Sequence, residues 1–344
     1  MLAFFQHLLS QPCIAVDLGT AKTRVSICTR EEFREEPSLI RHVRQSHSTR
    51  AGDEDLAYLN DRIVSSPLRG GVIVDVRNAV ALLKPLLRRA RPGFRQPVSL
   101  ACAPTDTSEQ ERKLLRQALE TAGAAHVAII PEVWAAAMGA GMDITSPKAR
   151  LLIDIGEGVT DMAVIRNGRL MFTAAVRTAC SDLQKAVRTS VIARHKVCPW
   201  PTELERLTHE LAARDQAEAS PARLIPVRGV DIGKRREKAV AVKSREIIEA
   251  MDPVLARILR MIETGLRRLP ENIASEIAGA DLCLTGGGSC ISGMDTLIAS
   301  ATGLDVRVAP DPTHSVINGA IRALRAWEKK ENWWETVTWP GLPS

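Results

Sequence analysis

Two stretches of this sequence combine an acid with glycines in a way that suits phosphate chemistry. In residues 151–168, LLIDIGEGVTDMAVIRNG, an apolar run ends in Asp154, a glycine-rich turn follows, and a second apolar run begins near Asp161. Gly156 and Gly158 let the backbone curl and aim its N–H groups at an anion, and a carboxylate at a strand end holds the hydration shell of a magnesium ion. Residues 13–29, CIAVDLGTAKTRVSICT, repeat the design with Asp17, then Gly19, Thr20 and Lys22 in the turn, then the alternating Val25-Ser26-Ile27. One such turn alone reads equally as an Asp capping its own hairpin. Two predict a duplicated fold with one phosphate at its cleft. A third motif, LCLTGGG at residues 282–288, runs a buried strand into Gly286, Gly287 and Gly288, with Ser289 as a lead into a helix. Bare backbone at a helix start suits the base and ribose of a nucleotide, or serves only as a tight strand-to-helix turn.

These turns need strands and helices to hold them, and the chain supplies an alternation of both. Asn167-Gly168 marks a tight turn between strands. Ser108 with Glu111 forms a capping box for a helix that Gly123 closes. A strand at 127–130 precedes Glu132, where another helix opens. Helices are expected at 181–195 and 202–214, separated by Pro199-Trp200-Pro201. A long amphipathic helix is expected at 244–268, interrupted or kinked at Asp252-Pro253. Lys234-Arg235-Arg236 with Lys238 form a basic turn before a strand at 239–242. It reads as a solvated loop, with contact to anionic lipid as the sharper alternative. A strand at 306–309 and a closing helix from Ser315 complete the pattern.

The chain's 344 residues exceed a single core of typical size, so two lobes are expected. Apolar residues at 45% and charged ones at 25% describe a soluble globular chain. A net charge of +6 is compatible with an anionic membrane surface or a nucleotide, and no aromatic platform for nucleic acid accompanies it. Seven cysteines with no C-x-x-C pair read as small core residues in a reducing cytoplasm. Residues 1–10, MLAFFQHLLS, place Leu2, Phe5 and Leu9, with Phe4 and Leu8 beside them, at helical spacing. An amphipathic helix in the membrane interface fits this, as does a short helix packed on its own domain. Trp327, Trp333, Trp334 and Trp339 crowd the C-terminal tail, which suits either an interface or a fold-back.

Taken in order, DLGTAKT, the EEPS of residues 35–38, GVIVD at 71–75, DIGEGVTDMAVI, VRGVD at 227–231, and LTGGG followed by TGLDVRVAPDP resemble the bacterial actin homologues MreB and Mbl. The resemblance covers nearly the whole chain. It implies an α/β fold of the actin and Hsp70 (ribonuclease H-like) type, duplicated into two lobes around a nucleotide cleft. The first lobe would be residues 1–145, with a shortened outer subdomain at 31–70, completed by 320–344. The second would be 146–319, with its outer subdomain at 183–243. ATP and magnesium would sit between Asp17 and Asp154, the phosphates held by Gly19, Thr20, Ala21, Lys22, Gly156, Glu157, Gly158 and Thr160. Adenosine would lie by Glu205, Thr208, Gly286, Gly287, Gly288 and Ser289. Glu132, at a helix N-terminus where an acid also serves the dipole, would orient water for slow hydrolysis. The implied product is a homopolymer, peripheral at the inner face of the cytoplasmic membrane, that organises cell-wall or spore-envelope synthesis.

The chain departs from that family around the chemistry. Glu157 and Val159 replace a glycine and a threonine, although actin also carries an acid and a valine there. Ala179, Cys180 and Ser181 replace two glycines before Asp182. Lys22 replaces an asparagine, either compensating charge at the first loop or standing as a solvated turn lysine. Thr208 stands where a lysine is expected one turn after Glu205, and Glu205 also reads as an exposed helix acid. These departures, with the shortened outer subdomain, favour the alternative of a non-polymerising ATP-binding adaptor or regulator of the same machinery; a third possibility, a small-molecule kinase on the same fold, needs an acceptor pocket with a catalytic base.

Overall fold

A computed structural model describes residues 12–27, 32–43, 62–90, 95–211 and 223–328. The chain groups into two units. One holds the residues up to Ala103 and Thr107–Ile129, and the other holds Pro104–Asp106 and everything from Ile130 onward.

In the first unit, strands β1 (Cys13–Leu18), β2 (Lys22–Ser26) and β3 (Phe33–Pro37) form a meander, followed by β4 (Ile40–Val43), β5 (Arg62–Ser65), β6 (Leu68–Arg69) and β7 (Val72–Ile73). Helix α1 (Val76–Ala90), β8 (Val98–Ala103), α2 (Glu109–Ala122) and β9 (His126–Pro131) complete it, the last two residues of β9 grouping with the second unit. The sheet order is β3-β2-β1-β8-β9, with β1 antiparallel to β2 and parallel to β8. All six residues of β8 are buried, as expected of a strand covered on both faces. Ser108 and Glu111 form the expected capping box, and Gly123 closes α2 at φ 117°.

In the second unit α3 (Glu132–Gly139) precedes β10 (Arg150–Ile155), β11 (Thr160–Arg166) and β12 (Arg169–Val176). Then come α4 (Cys180–His195), β13 (Val197–Pro199), α5 (Pro201–Leu211), β14 (Leu224–Asp231), β15 (Glu237–Lys243), α6 (Ser244–Arg267) and α7 (Glu271–Ala278). Strand β16 (Leu282–Thr285), α8 (Met294–Thr302), β17 (Val306–Val308) and α9 (Ser315–Glu328) close it. The main sheet runs β12-β11-β10-β16-β17, the first unit's order repeated: an antiparallel meander whose first strand pairs in parallel with a later one. Asn167 and Gly168 turn β11 into β12 with φ 50° and 73°, the expected tight turn. Leu151, Ile153, Ile155, Met162 and Val164 of the sheet pack with Leu183 and Val187 of α4 and Ile258 and Ile262 of α6.

Of an interruption or a kink at Pro253 the interruption is excluded, and the lead at Ser289 changes. Helix α6 runs unbroken through Pro253. Ile247 and Met251 before the proline and Val254, Leu255 and Ile258 after it are buried, and that packed stripe outweighs the one backbone bond the proline removes. Ser289 does not lead directly into a helix. It lies in a short 3-10 turn, Gly287–Cys290, and α8 starts only after Gly293 at φ 76°. Helices α3 and α9 cross at bare backbone, because a Cβ on Gly139 would sit 1.7 Å from Ser315 O and one on Gly319 1.7 Å from Ala135 O.

Candidate functional site

In the first unit, the antiparallel register sets Asp17 opposite Arg24, and Arg24 opposite Glu35 of β3. Residues opposite one another share a face, so charge spacing becomes contact. Arg24 donates from Nη1 to Asp17 Oδ2 at 2.9 Å and from Nε to Glu35 Oε2 at 2.7 Å. Lys22 Nζ lies 2.6 Å from Glu35 Oε1. Burial works against the guanidinium charge, and Asp17 and Glu35 more than offset it, leaving the Arg24 pKa above its ordinary value. For Glu35, burial is likewise outweighed, here by the bonds from Lys22 and Arg24, and its pKa is lowered. The turn between the strands is braced from elsewhere. Ser38 Oγ donates to Gly19 O at 2.6 Å, Ser38 N–H to Ala21 O at 2.8 Å, and Gly71 N–H to Thr20 Oγ1 at 3.0 Å. A Cβ on Gly19 would lie 2.9 Å from Lys22 O, so the tight turn itself requires glycine. Ser38 and Gly71 come from the EEPS and GVIVD stretches, whose part in bracing this turn their sequence did not reveal.

The second unit builds the same hairpin with different partners. Asp154 faces Asp161 in register, an acid against an acid. Thr285 Oγ1 donates to Asp154 Oδ1 at 2.6 Å, linking the strand end to β16. Asp161 is 1% exposed. Its Oδ1 accepts from the Thr105 hydroxyl and, at 3.4 Å, from the Thr105 N–H, while Oδ2 has no partner among the described residues. Burial raises its pKa to about 7, the Thr105 bonds oppose that rise, and the charges of Asp154 and Asp106 add to it. The next residue of the same segment, Asp106, accepts from Arg177 Nε at 2.8 Å.

The tip of this hairpin is folded onto α4. Gly156 N–H donates to Val159 O at 2.9 Å, and Thr160 Oγ1 donates to Thr178 O at 2.8 Å. Cys180 N–H reaches Gly156 O at 3.3 Å and Ser181 N–H reaches Glu157 O at 2.9 Å, so two amides at the α4 N-terminus are turned onto loop carbonyls. Ala179 N–H is taken by Asp182 Oδ2 at 3.1 Å. The Glu157 carboxyl is pushed up to about 7 by burial first, then by the charges of Glu205 and Asp182. The structure thus brings together the loop acid, the α4 acid and the α5 acid that sequence placed far apart. Thr208 is buried and donates within its own helix, to Leu204 O at 3.0 Å and Glu205 O at 2.9 Å.

The three glycines do different jobs. A Cβ on Gly286 would meet Ile155 O at 2.3 Å and Asp154 Oδ1 at 2.9 Å, and one on Gly288 would meet Ile155 Cγ2 at 2.2 Å. Both are spent on packing against the end of β10. Gly287 has nothing within 4 Å of its Cβ position, which leaves bare backbone facing open space. Ser289 turns its hydroxyl onto Gly286 O at 2.6 Å. Glu132 opens α3 directly after Pro131 and is partly exposed. That helix packs on β10 and β11, and Trp134 Nε1 ties it to Gly168 O at 3.1 Å.

The model of the MreB/Mbl protein family matches residues 11–332. This chain belongs to the MreB/Mbl family. It is 28% identical to the cell shape-determining protein MreB of Escherichia coli K12 over 337 residues, 94% of this chain and 96% of that one. It is also 28% identical to the cell shape-determining protein Mbl of Bacillus subtilis 168, over 89% of this chain and 93% of that one. Among solved structures, MreB 5 of Spiroplasma citri bound to AMPPNP superposes with a TM-score of 0.80 at 25% identity, covering 93% of this chain and 98% of that one. The fold is actin-like, as the sequence motifs of the family imply.

A nucleotide with magnesium fits some of these residues better than others. Gly287 offers open backbone of the kind a flat base approaches, and each unit by itself carries at its hairpin a carboxylate, Asp17 or Asp154, of the hard oxygen type that magnesium takes. Asp17 already shares its charge with Arg24, and the α4 amides are already engaged by the loop. Leu2, Phe4, Phe5, Leu8 and Leu9 lie outside the described residues, as do Cys28, Trp333, Trp334 and Trp339. Among the described residues no helix is long and apolar enough to cross a membrane.

Proposed function

We propose that this chain is an MreB-like, ATP-binding cytoskeletal protein that forms membrane-associated filaments and organises cell-wall or spore-envelope synthesis and cell shape. The observation that carries the reading is the duplicated hairpin with an acid at the same place in both copies, in a chain that the family matches over residues 11–332. Relatives that share its length are cell shape-determining proteins, and the MreB 5 structure holds AMPPNP.

In this reading Asp17 and Asp154 hold the hydration shell of a magnesium ion. Gly19, Thr20, Ala21 and Lys22, and Gly156, Glu157, Gly158 and Thr160, border the phosphates. Gly286, Gly287, Gly288, Ser289, Glu205 and Thr208 would border adenosine, Gly287 being the glycine whose backbone faces open space. Glu132 orients a water at the α3 N-terminus. ATP supplies the phosphoanhydride whose presence or loss biases assembly. Partners are further copies of the chain, the inner face of the cytoplasmic membrane through residues 1–10, and the wall-synthesis machinery.

The engagement of the α4 amides by Gly156 and Glu157 carbonyls favours a second reading, an ATP-binding adaptor that does not polymerise. Sedimentation and thermal melting with Mg-ATP, Mg-ADP and no nucleotide separate the two. A ligand at a hundred times its Kd stabilises the fold by about 2.7 kcal/mol. Pelleting that requires ATP supports the filament. Stabilisation without pelleting supports the adaptor, and the absence of both removes the nucleotide reading altogether.

A further inference from the structure

The β14–β15 hairpin ends in residues 231–238, DIGKRREK, with Lys234, Arg235, Arg236 and Lys238 against Asp231 and Glu237. This is a constructed turn. Asp231 Oδ1 accepts the N–H groups of Gly233 at 3.0 Å and Lys234 at 2.9 Å, and Asp231 O accepts from Arg235 N–H at 2.8 Å. Asp231 N–H donates to Arg236 O at 2.9 Å. Ile232 N–H donates to Lys196 O at 3.0 Å, pinning the turn to the C-terminal cap of α4. Asp231 also pairs with Lys238 at 3.2 Å, which neutralises both. Lys234, Arg235 and Arg236 are exposed, and among the described residues none has a carboxylate within 4.0 Å. Ile232, at the same tip, is 49% exposed.

We propose that this tip docks on an anionic bilayer surface, with Lys234, Arg235 and Arg236 over the headgroup phosphates and Ile232 at the boundary with the acyl chains. Cations held in a fixed turn keep their charge available to a partner outside the chain. An aliphatic side chain among them has a use at a bilayer boundary. Single-stranded nucleic acid is gripped by cations alternating with aromatic residues, and residues 231–238 contain no aromatic. The inference rests on the membrane part of the reading above and adds a second point of attachment to residues 1–10.

The test pellets vesicles of phosphatidylcholine, alone and with phosphatidylglycerol. It uses the full chain, the chain lacking residues 1–10, and each of these carrying Lys234→Glu, Arg235→Glu and Arg236→Glu. Each cation near an anionic surface is worth about fivefold in partitioning, so the triple variant should bind at least tenfold more weakly in both backgrounds. In the chain lacking residues 1–10, binding should fall with salt and be absent on neutral vesicles, and Ile232→Ser should give an intermediate loss. Thermal melts of the same variants, whose changes are all on the surface, check that they fold. If the triple variant pellets like the parent while loss of residues 1–10 abolishes binding, the membrane reading stands and this inference fails. If nothing pellets in any tube, both fail. Full displacement by duplex DNA, with Ile232→Ser behaving as the parent, would make the tip a nucleic-acid contact and overturn the proposal.

Discussion

The two acid-tipped hairpins share a backbone and differ in charge. Asp17 faces Arg24, while at the matching place in the second unit Asp154 faces Asp161. The first hairpin is therefore an ion ladder, Asp17–Arg24–Glu35 with Lys22 at its rim, in which each carboxylate meets a cation. The second is a pair of acids, one of which burial and its neighbour hold near pH 7, supported by threonine hydroxyls and close-packed glycines. A duplicated fold preserves strand register, and register alone leaves free which charge lies across the pair.

Removing the ion ladder's centre should have the largest effect. Arg24→Ala leaves Asp17 and Glu35 without their shared partner in a site that is mostly buried, and a loss of about 3 kcal/mol is expected in urea unfolding. A loss under about 1 kcal/mol would mean that the first hairpin does not depend on its charges, and the contrast would collapse. The second hairpin should instead be sensitive to added volume. Gly288→Ala drives a Cβ into Ile155 and should cost about 2 kcal/mol. Gly287→Ala should leave the melting temperature close to that of the parent and reduce the stabilisation that Mg-ATP gives. Equal stability losses from the two would sink the division of labour among the glycines.

The two hairpins should also respond to pH with opposite sign. Asp161 has a folded pKa of about 7 against 3.8 in its ordinary state, so the folded form holds a proton that the unfolded chain has released. Its contribution is whole below about pH 4 and is lost as pH rises toward 7. Glu157, raised from 4.5 to about 7, acts in the same direction. Glu35 is lowered, so its contribution is present above its ordinary 4.5 and lost as pH falls. Unfolding free energies measured from pH 4 to 8 should therefore decline less steeply in Asp161→Asn than in the parent. An unchanged slope in that variant would show that Asp161 ionises normally. The smallest effect is expected at Lys22, which is 51% exposed at its side chain. Lys22→Ala should shift stability by under about 0.5 kcal/mol. Any larger change should appear only in the presence of Mg-ATP, where it would mark Lys22 as a phosphate contact.

Much of the architecture was legible because it depends on local chemistry. Gly123, Gly168 and the Ser108–Glu111 box mark element ends that their residue types require. The apolar runs of β1, β10 and β11 and the alternation of β2, joined by short glycine-containing turns, give hairpins, and a turn of known length sets register, so the Asp17–Arg24 pairing was readable from the seven-residue spacing. Pro253 does not interrupt its helix, because the penalty of a proline is local while the packing that overrides it comes from the sheet beneath.

Glu157, Asp182 and Glu205 come from a loop and two helices, and Thr105 reaches Asp161 across 56 residues of sequence. The sequence by itself determined the strands, the tight turns, the duplication and the identity of the acids at the hairpin tips, since backbone conformational limits and hydrophobic alternation act between near neighbours. Only the tertiary structure decided which of those acids carries a neighbouring cation, which is held near neutrality, and which glycine is left open. Charge interactions and desolvation depend on distance and burial in space, and neither is a property of spacing along the chain.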